Sequence, residues 1–120
     1  MTALNLARNA YAAAATPTRT SRDSEYDALA RVTQRLRSAS GFPQLASALH
    51  DNRSLWTLLA SDVADSGNGL QPELRARIFY LATFTSEHSR KVLAGRADAG
   101  VLVEINTAVM RGLRSGGAEP

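Results

Sequence analysis

His50 and His88 are the only histidines of the chain, and Asp51 beside the first is the nearest approach to an acid–base pair. General acid–base chemistry needs two groups converging on one point, whereas successive helix positions diverge by about 100 degrees. His50 is therefore expected at the surface. His88 closes an apolar stripe, where a half-buried, hydrogen-bonded imidazole is the plain expectation. Neither histidine stands in an HExxH-like array, and the chain has no cysteine to act as thiolate ligand or nucleophile. Ser61 and Ser66 have no base at a spacing that sequence can tie to them. Gly67 and Gly69 precede a helix without the lysine of a phosphate-binding loop. The expectation is a protein that is not an enzyme, with no metal and no cofactor.

The chemistry that remains is recognition, and it is concentrated in Ala48-Leu49-His50-Asp51-Asn52-Arg53-Ser54-Leu55-Trp56-Thr57. Leu45, Leu49, Asn52, Trp56, Leu59 and Val63 step by four, three, four, three and four, which aligns them along one helix face. Asn52 is the single amide on that face. Its donors and acceptor need partners, so it either bonds a neighbouring helix or lines a groove where another chain supplies them. Trp56 has the same two readings, core side chain or partner anchor. Arg53 leaves the apolar face, where it meets an acidic partner group or water. Tyr80 and Phe84 lie one turn apart and widen the apolar sector of a later helix beyond what a core requires, a feature of binding surfaces.

Several helices must position these residues. A helix-prone segment over residues 1–16, rich in alanine, is followed by a joint at Thr16-Pro17-Thr18-Arg19-Thr20-Ser21. Ser24 can cap a helix over about 24–40, whose apolar face is Tyr26, Leu29, Val32, Thr33, Leu36 and Ala39. Arg31, Arg35 and Arg37 fall off that face and are expected in solvent. Gly41 suits a left-handed position and Pro43 a helix start, predicting a corner and a second helix to about residue 65. Ser66-Gly67-Asn68-Gly69 breaks the chain, and Pro72 with Glu73 opens a third helix, antiparallel to the second. Its stripe is Leu74, Ile78, Leu81, Thr85, His88 and Val92. Gly95 ends it, Asp98 can cap a fourth, and Leu102, Ile105, Val109 and Leu113 carry that helix to about Arg114. The fold class expected is all-α: a bundle of four main helices with a short N-terminal helix, one domain over 1–120, residues 1–20 loosely held and 115–120 frayed.

Composition fits this reading. Hydrophobic residues make up 44% and charged residues 21%, enough for one modest core. The net charge of +3 comes from basic residues scattered among acids, with the excess in residues 1–40. Scattered basicity makes RNA binding a secondary reading, resting on Arg19, Arg22, Arg31, Arg35 and Arg37. Ala12 to Ala15 is part of an apolar run that Asn5, Arg8 and Asn9 interrupt before export or membrane-spanning length. A cytoplasmic location without membrane insertion is expected.

The ordered succession of residues resembles the bacterial flagellar biosynthesis regulator FlaF family over most of the chain. It comprises Ala10-Tyr11, Arg22, Glu25, the central Ala48-Leu49-x-x-Asn52-Arg53-x-Leu55-Trp56 with Asp62, and Asn68-x-Leu70-x-Pro72-x-Leu74-Arg75. Ile78, Leu81, Phe84, Val92, Gly95, Leu102-x-x-Ile105-Asn106 and Gly112-Leu113 follow. Two departures are the separation of Pro17 from Arg19, and Thr107 where the family commonly has arginine. The resemblance implies a cytoplasmic, non-enzymatic chaperone that binds flagellin for secretion and influences flagellin synthesis, often beside a second regulator, FlbT. The partner-binding residues expected are Asn52, Arg53, Leu55, Trp56, Leu59, Tyr80, Phe84 and Asn106. The alternatives are an RNA-associated regulator of flagellin expression and an adaptor joining FlbT to flagellin.

Overall fold

A computed structural model describes residues 21–65 and 71–118, so the expected N-terminal helix, the joint before Ser21 and the Ser66-Gly67-Asn68-Gly69 break lie outside the described residues. Four helices make up the described chain: α1 Ser21–Ser38, α2 Gly41–Ala64, α3 Pro72–Leu93 and α4 Gly100–Ala118. No strand occurs among the described residues. The all-α expectation is met, with three differences at the ends. α1 already includes Ser24 in its interior, so Ser24 is not its cap. α4 opens at Gly100, two residues past Asp98, whose carboxylate occupies the space that a Cβ on Gly100 would take. α4 also runs past Arg114 to Ala118: the two glycines of that last stretch, Gly116 and Gly117, each cost about 1 kcal/mol against alanine but leave the backbone free to stay helical.

Glycine fixes two of the corners. Gly41 has φ +81° and Gly95 φ +75°, in the left-handed region that a side chain disfavours. At Gly95 the amides of Gly95 and Arg96 donate to the carbonyls of Val92 (3.0 Å) and Lys91 (2.8 Å), the Schellman arrangement that satisfies the last turn of α3. Pro72 sits at the first turn of α3, where its missing N–H costs nothing.

The α2–α3 corner is held by a side chain. Arg75 Nε donates to the Val63 carbonyl at 2.7 Å and its Nη2 to the Asp65 carbonyl at 3.3 Å, a cationic cap on the negative end of α2. For Arg75→Ala we expect a loss of about 1–3 kcal/mol, the scale of charge-assisted hydrogen bonds, in urea unfolding. A loss below about 0.3 kcal/mol would show that solvent replaces the cap.

Helix α2 packs along α3 and α1 packs along α4, with α1 and α2 also in contact, whereas α3 and α4 meet far less than any of these pairs. The apolar interior is divided in two. Ala28, Leu29, Leu55, Trp56 and Leu59 form one cluster, flanked by half-buried Ile78, Leu81, Ile105, Val109 and Leu113 among others. Leu36, Ala48, Leu49, Val92 and Leu102 form the second. In sequence, buried Thr33, Asn52 and Thr85 fall between the two sets on their helices and Asn106 stands at the boundary on α4, one residue past Ile105, so a polar layer crosses the bundle where the two clusters meet.

Candidate functional site

The centre of that layer is an ordered hydrogen-bond chain. Trp56 Nε1 donates to Asn106 Oδ1 at 2.9 Å. Asn106 Nδ2 in turn donates to Asn52 Oδ1 at 2.8 Å and to Thr33 Oγ1 at 3.1 Å, and Thr33 donates to the Leu29 carbonyl at 2.6 Å. One amide thus ties α4 to both α1 and α2. Asn52 and Asn106 are fully enclosed and Trp56 is 1% exposed, so these bonds are shielded from water and from partners alike. Asn52 Nδ2 and Thr85 Oγ1 have no hydrogen-bond partner among the described residues.

This geometry sorts the eight residues expected to bind a partner. Asn52, Leu55, Trp56, Leu59 and Asn106 are interior, so the placement corrects their reading as direct contacts: apolar area and the hydrogen bonds centred on Asn106 favour enclosure here over exposure in a groove. Of the two readings open for Asn52, the bond to a neighbouring helix is the one adopted. Arg53 is half-buried and donates to Ser86 Oγ at 3.3 Å across the α2–α3 contact. Tyr80 and Phe84 remain at the surface, 66% and 36% exposed.

Their surroundings form an open seam between α3 and α4. Arg75 and Ser86, both bonded to α2, mark one flank of α3, and exposed Phe79 lies on that same stripe, four residues from Arg75 and seven from Ser86. His88 marks the other flank, since its Nε2 lies 2.9 Å from the Asp98 carbonyl just before α4. Phe84 stacks on that imidazole with ring centroids 5.5 Å apart, and Tyr80 stands one turn before Phe84. Across the seam, Thr107 and Met110 of α4 face α1 through Arg37 and Thr33. The opposite flank of α4 carries Val101, Ile105, Ala108 and Gly112 at spacings of four, three and four. Ala108 is exposed, and a Cβ added to Gly112 would meet nothing within 4 Å.

The seam therefore has an aromatic wall on α3, a wall of small and branched residues on α4, and a floor of half-buried Ile78, Leu81 and Val109 resting on the Trp56 cluster. Leu74, 42% exposed, extends the apolar surface toward the start of α3. Sequence spacing identified Tyr80 and Phe84, but missed the α4 wall: Ala108 and Gly112 carry no chemical signal until the neighbouring helix is seen to stand apart.

Two basic residues of α1, Arg35 and Arg37, are engaged within the bundle. Arg35 pairs with Asp51, and Arg37 donates to Thr107 Oγ1 at 3.4 Å, both from exposed positions. Thr107 also donates to the Val103 carbonyl, at 2.7 Å. No described helix is long and apolar enough to cross a membrane.

The described residues define an all-helical protein with an apolar seam between α3 and α4 beside a buried polar layer. A family model, Flagellar protein FlaF, matches residues 7–113, and the chain belongs to that family. No curated protein and no solved structure matches it.

Proposed function

We propose that this protein is a cytoplasmic chaperone that holds unassembled flagellin for secretion and thereby influences flagellin synthesis. The observation that carries the reading is the apolar α3–α4 seam, with Tyr80 and Phe84 left in solvent in a chain of a flagellar family. Large exposed aromatics on a helix that stands apart from its neighbour are surface that folding alone does not need. An amphipathic client helix fits such a seam in the helix-in-groove mode, its anchors at i, i+3, i+4 and i+7 lying between the aromatic wall and the small-residue wall. Sheltering a subunit's apolar termini keeps them from assembling early. Ordering a free terminus opposes binding by about 2–5 kcal/mol, which keeps the complex releasable. Association with FlbT is compatible with the same surface, as an additional partner.

Titrating the purified protein with intact flagellin, and with flagellin lacking either terminus, tests this reading. Binding is expected to need one terminus, to show a negative heat-capacity change and to vary little with salt. The double variant Tyr80→Ser, Phe84→Ser is expected to weaken binding about 30-fold or more, the scale of a hot spot of 2 kcal/mol. Arg53→Glu, on the α2-facing flank, should leave affinity within about threefold, because a peripheral charge is worth little. The reverse ranking would move the site to the α2 side. Affinity for flagellin messenger RNA that falls steeply with salt would favour the RNA reading.

A further inference from the structure

We propose that the outer face shared by α2 and α3, on the side of α3 away from the seam, docks an acidic amphipathic helix of a second protein. This surface is separate from the seam and does not depend on flagellin binding there.

Two contacts set the register of the face. Arg53 bonds Ser86, and Arg75 bonds the carbonyls of Val63 and Asp65, so α2 and α3 run antiparallel with known levels. One turn inward from the Arg75 contact, Phe79 stands level with Ala60. Phe79 is 53% exposed, Ala60 is half-buried and Ala64 is exposed. The ring therefore lies beside short side chains that let a third helix approach closely, and its apolar area is left uncovered by the fold.

The charge around Phe79 is of one sign. At spacings of three and four from Arg53, the outward positions of α2 run from Ala46 to Ala64, and the matching stripe of α3 runs from Arg75 to Arg90. Arg53, Arg75 and Arg90 lie on these stripes, exposed His50 is the other titratable group, and neither Asp nor Glu occurs on them. Asp51 is turned toward α1, where Arg35 pairs with it, Asp62 is buried, and Glu87 lies about 100 degrees round α3 from Ser86. Arg75 is committed to capping α2, but Arg53 and Arg90 form no ion pair among the described residues. Arg53 is half-buried and donates to a neutral hydroxyl at 3.3 Å, which leaves its other N–H groups for a carboxylate fork.

The spacing defines the partner. Ser86, at the level of Arg53, is seven residues from Phe79, and Arg90 is eleven, about 10 and 16 Å along the helix axis. A helix laid along the face meets all three with an apolar side chain at one position and carboxylates seven and eleven positions away, which share one side of a helix. Two available guanidiniums match two acids. They are too few for a nucleic-acid backbone, where affinity is built from many phosphate contacts. Tyr80 and Phe84 belong to the opposite flank of α3, so the two surfaces do not compete.

The probe is an alanine-based helical peptide of about 20 residues with one Leu and with Glu seven and eleven positions further on, together with its reversed-order twin and counterparts carrying Gln for Glu. Added at low salt to isotope-labelled full-length protein, one Glu peptide is expected to shift the amide resonances of Arg53, Phe79 and Ser86 and to leave those of Ala108 and Gly112 in place. Its Gln counterpart should bind about fivefold more weakly, and Arg53→Gln with Arg90→Gln should abolish that difference. Phe79→Ser should weaken both peptides about tenfold while urea unfolding is unchanged. Equal affinity of the Glu and Gln peptides, shifts centred on Ala108 and Gly112, or no binding at about 1 mM peptide overturns the surface, as does tighter binding of a single-stranded RNA of equal length. Failure of flagellin to bind the seam would remove only the function proposed above.

Discussion

Trp56→Ala is expected to lower the stability of the bundle by about 3–5 kcal/mol, the range of large aromatic truncations in cores. Trp56 is the largest fully buried side chain, joined by Leu29, Leu55 and Leu59 and roofed by half-buried residues of α3 and α4. Its removal opens a void that three helices would have to move to fill, and it leaves the Asn106 carbonyl oxygen without its indole donor. Small domains hold about 5–15 kcal/mol in all, so the variant should sit near its unfolding midpoint under mild denaturant. Urea unfolding followed by circular dichroism measures this. A loss below about 1 kcal/mol would mean that the site collapses around alanine and that Trp56 is not the centre of its cluster. Because the seam floor rests on that cluster, reduced flagellin binding should accompany the lost stability, whereas the Tyr80 and Phe84 variants should bind poorly while remaining folded.

Asn106→Ala is the second large effect, and it acts through polar groups in place of volume. The substitution strands Trp56 Nε1 and Asn52 Oδ1 in the buried interior, and Thr33 Oγ1 loses one partner while keeping its bond to the Leu29 carbonyl. Each stranded buried group costs about 1–3 kcal/mol, so two predict a loss of roughly 2–6 kcal/mol. Adding Trp56→Phe removes one stranded donor. The pair should therefore be non-additive by about 0.5–3 kcal/mol in a double-mutant cycle of unfolding free energies. Strict additivity would show that the Trp56–Asn106 bond contributes nothing beyond its packing.

Much of the helical framework was legible from residue types. The stripes of α2, α3 and α4 rest on three-and-four spacing, and Gly41, Gly95 and Pro72 mark corners because their covalent structure allows backbone states that other residues resist. These are local properties of the chain. Leu49, Asn52, Trp56, Leu59 and Val63 are all buried as their stripe requires. Ser24 failed as a cap because an N-cap preference is worth only about 1 kcal/mol and the helix can extend past it.

The candidate site divides differently. That Asn52 needs partners follows from its own chemistry, and that Tyr80 and Phe84 exceed a core's needs follows from the width of an apolar sector. Which partner Asn52 takes was decided by α4 bringing Asn106 within 2.8 Å, a contact between residues 54 positions apart. That Trp56 is enclosed, while Tyr80 is open, was likewise fixed by helix placement: all four helices supply residues to the cluster around the indole, whereas the Tyr80 side of α3 has little of α4 against it. Periodicity tells which side of a helix is apolar; only the arrangement of all four helices tells which apolar sides find one another, because burial is a property of the assembled surface and not of any one segment.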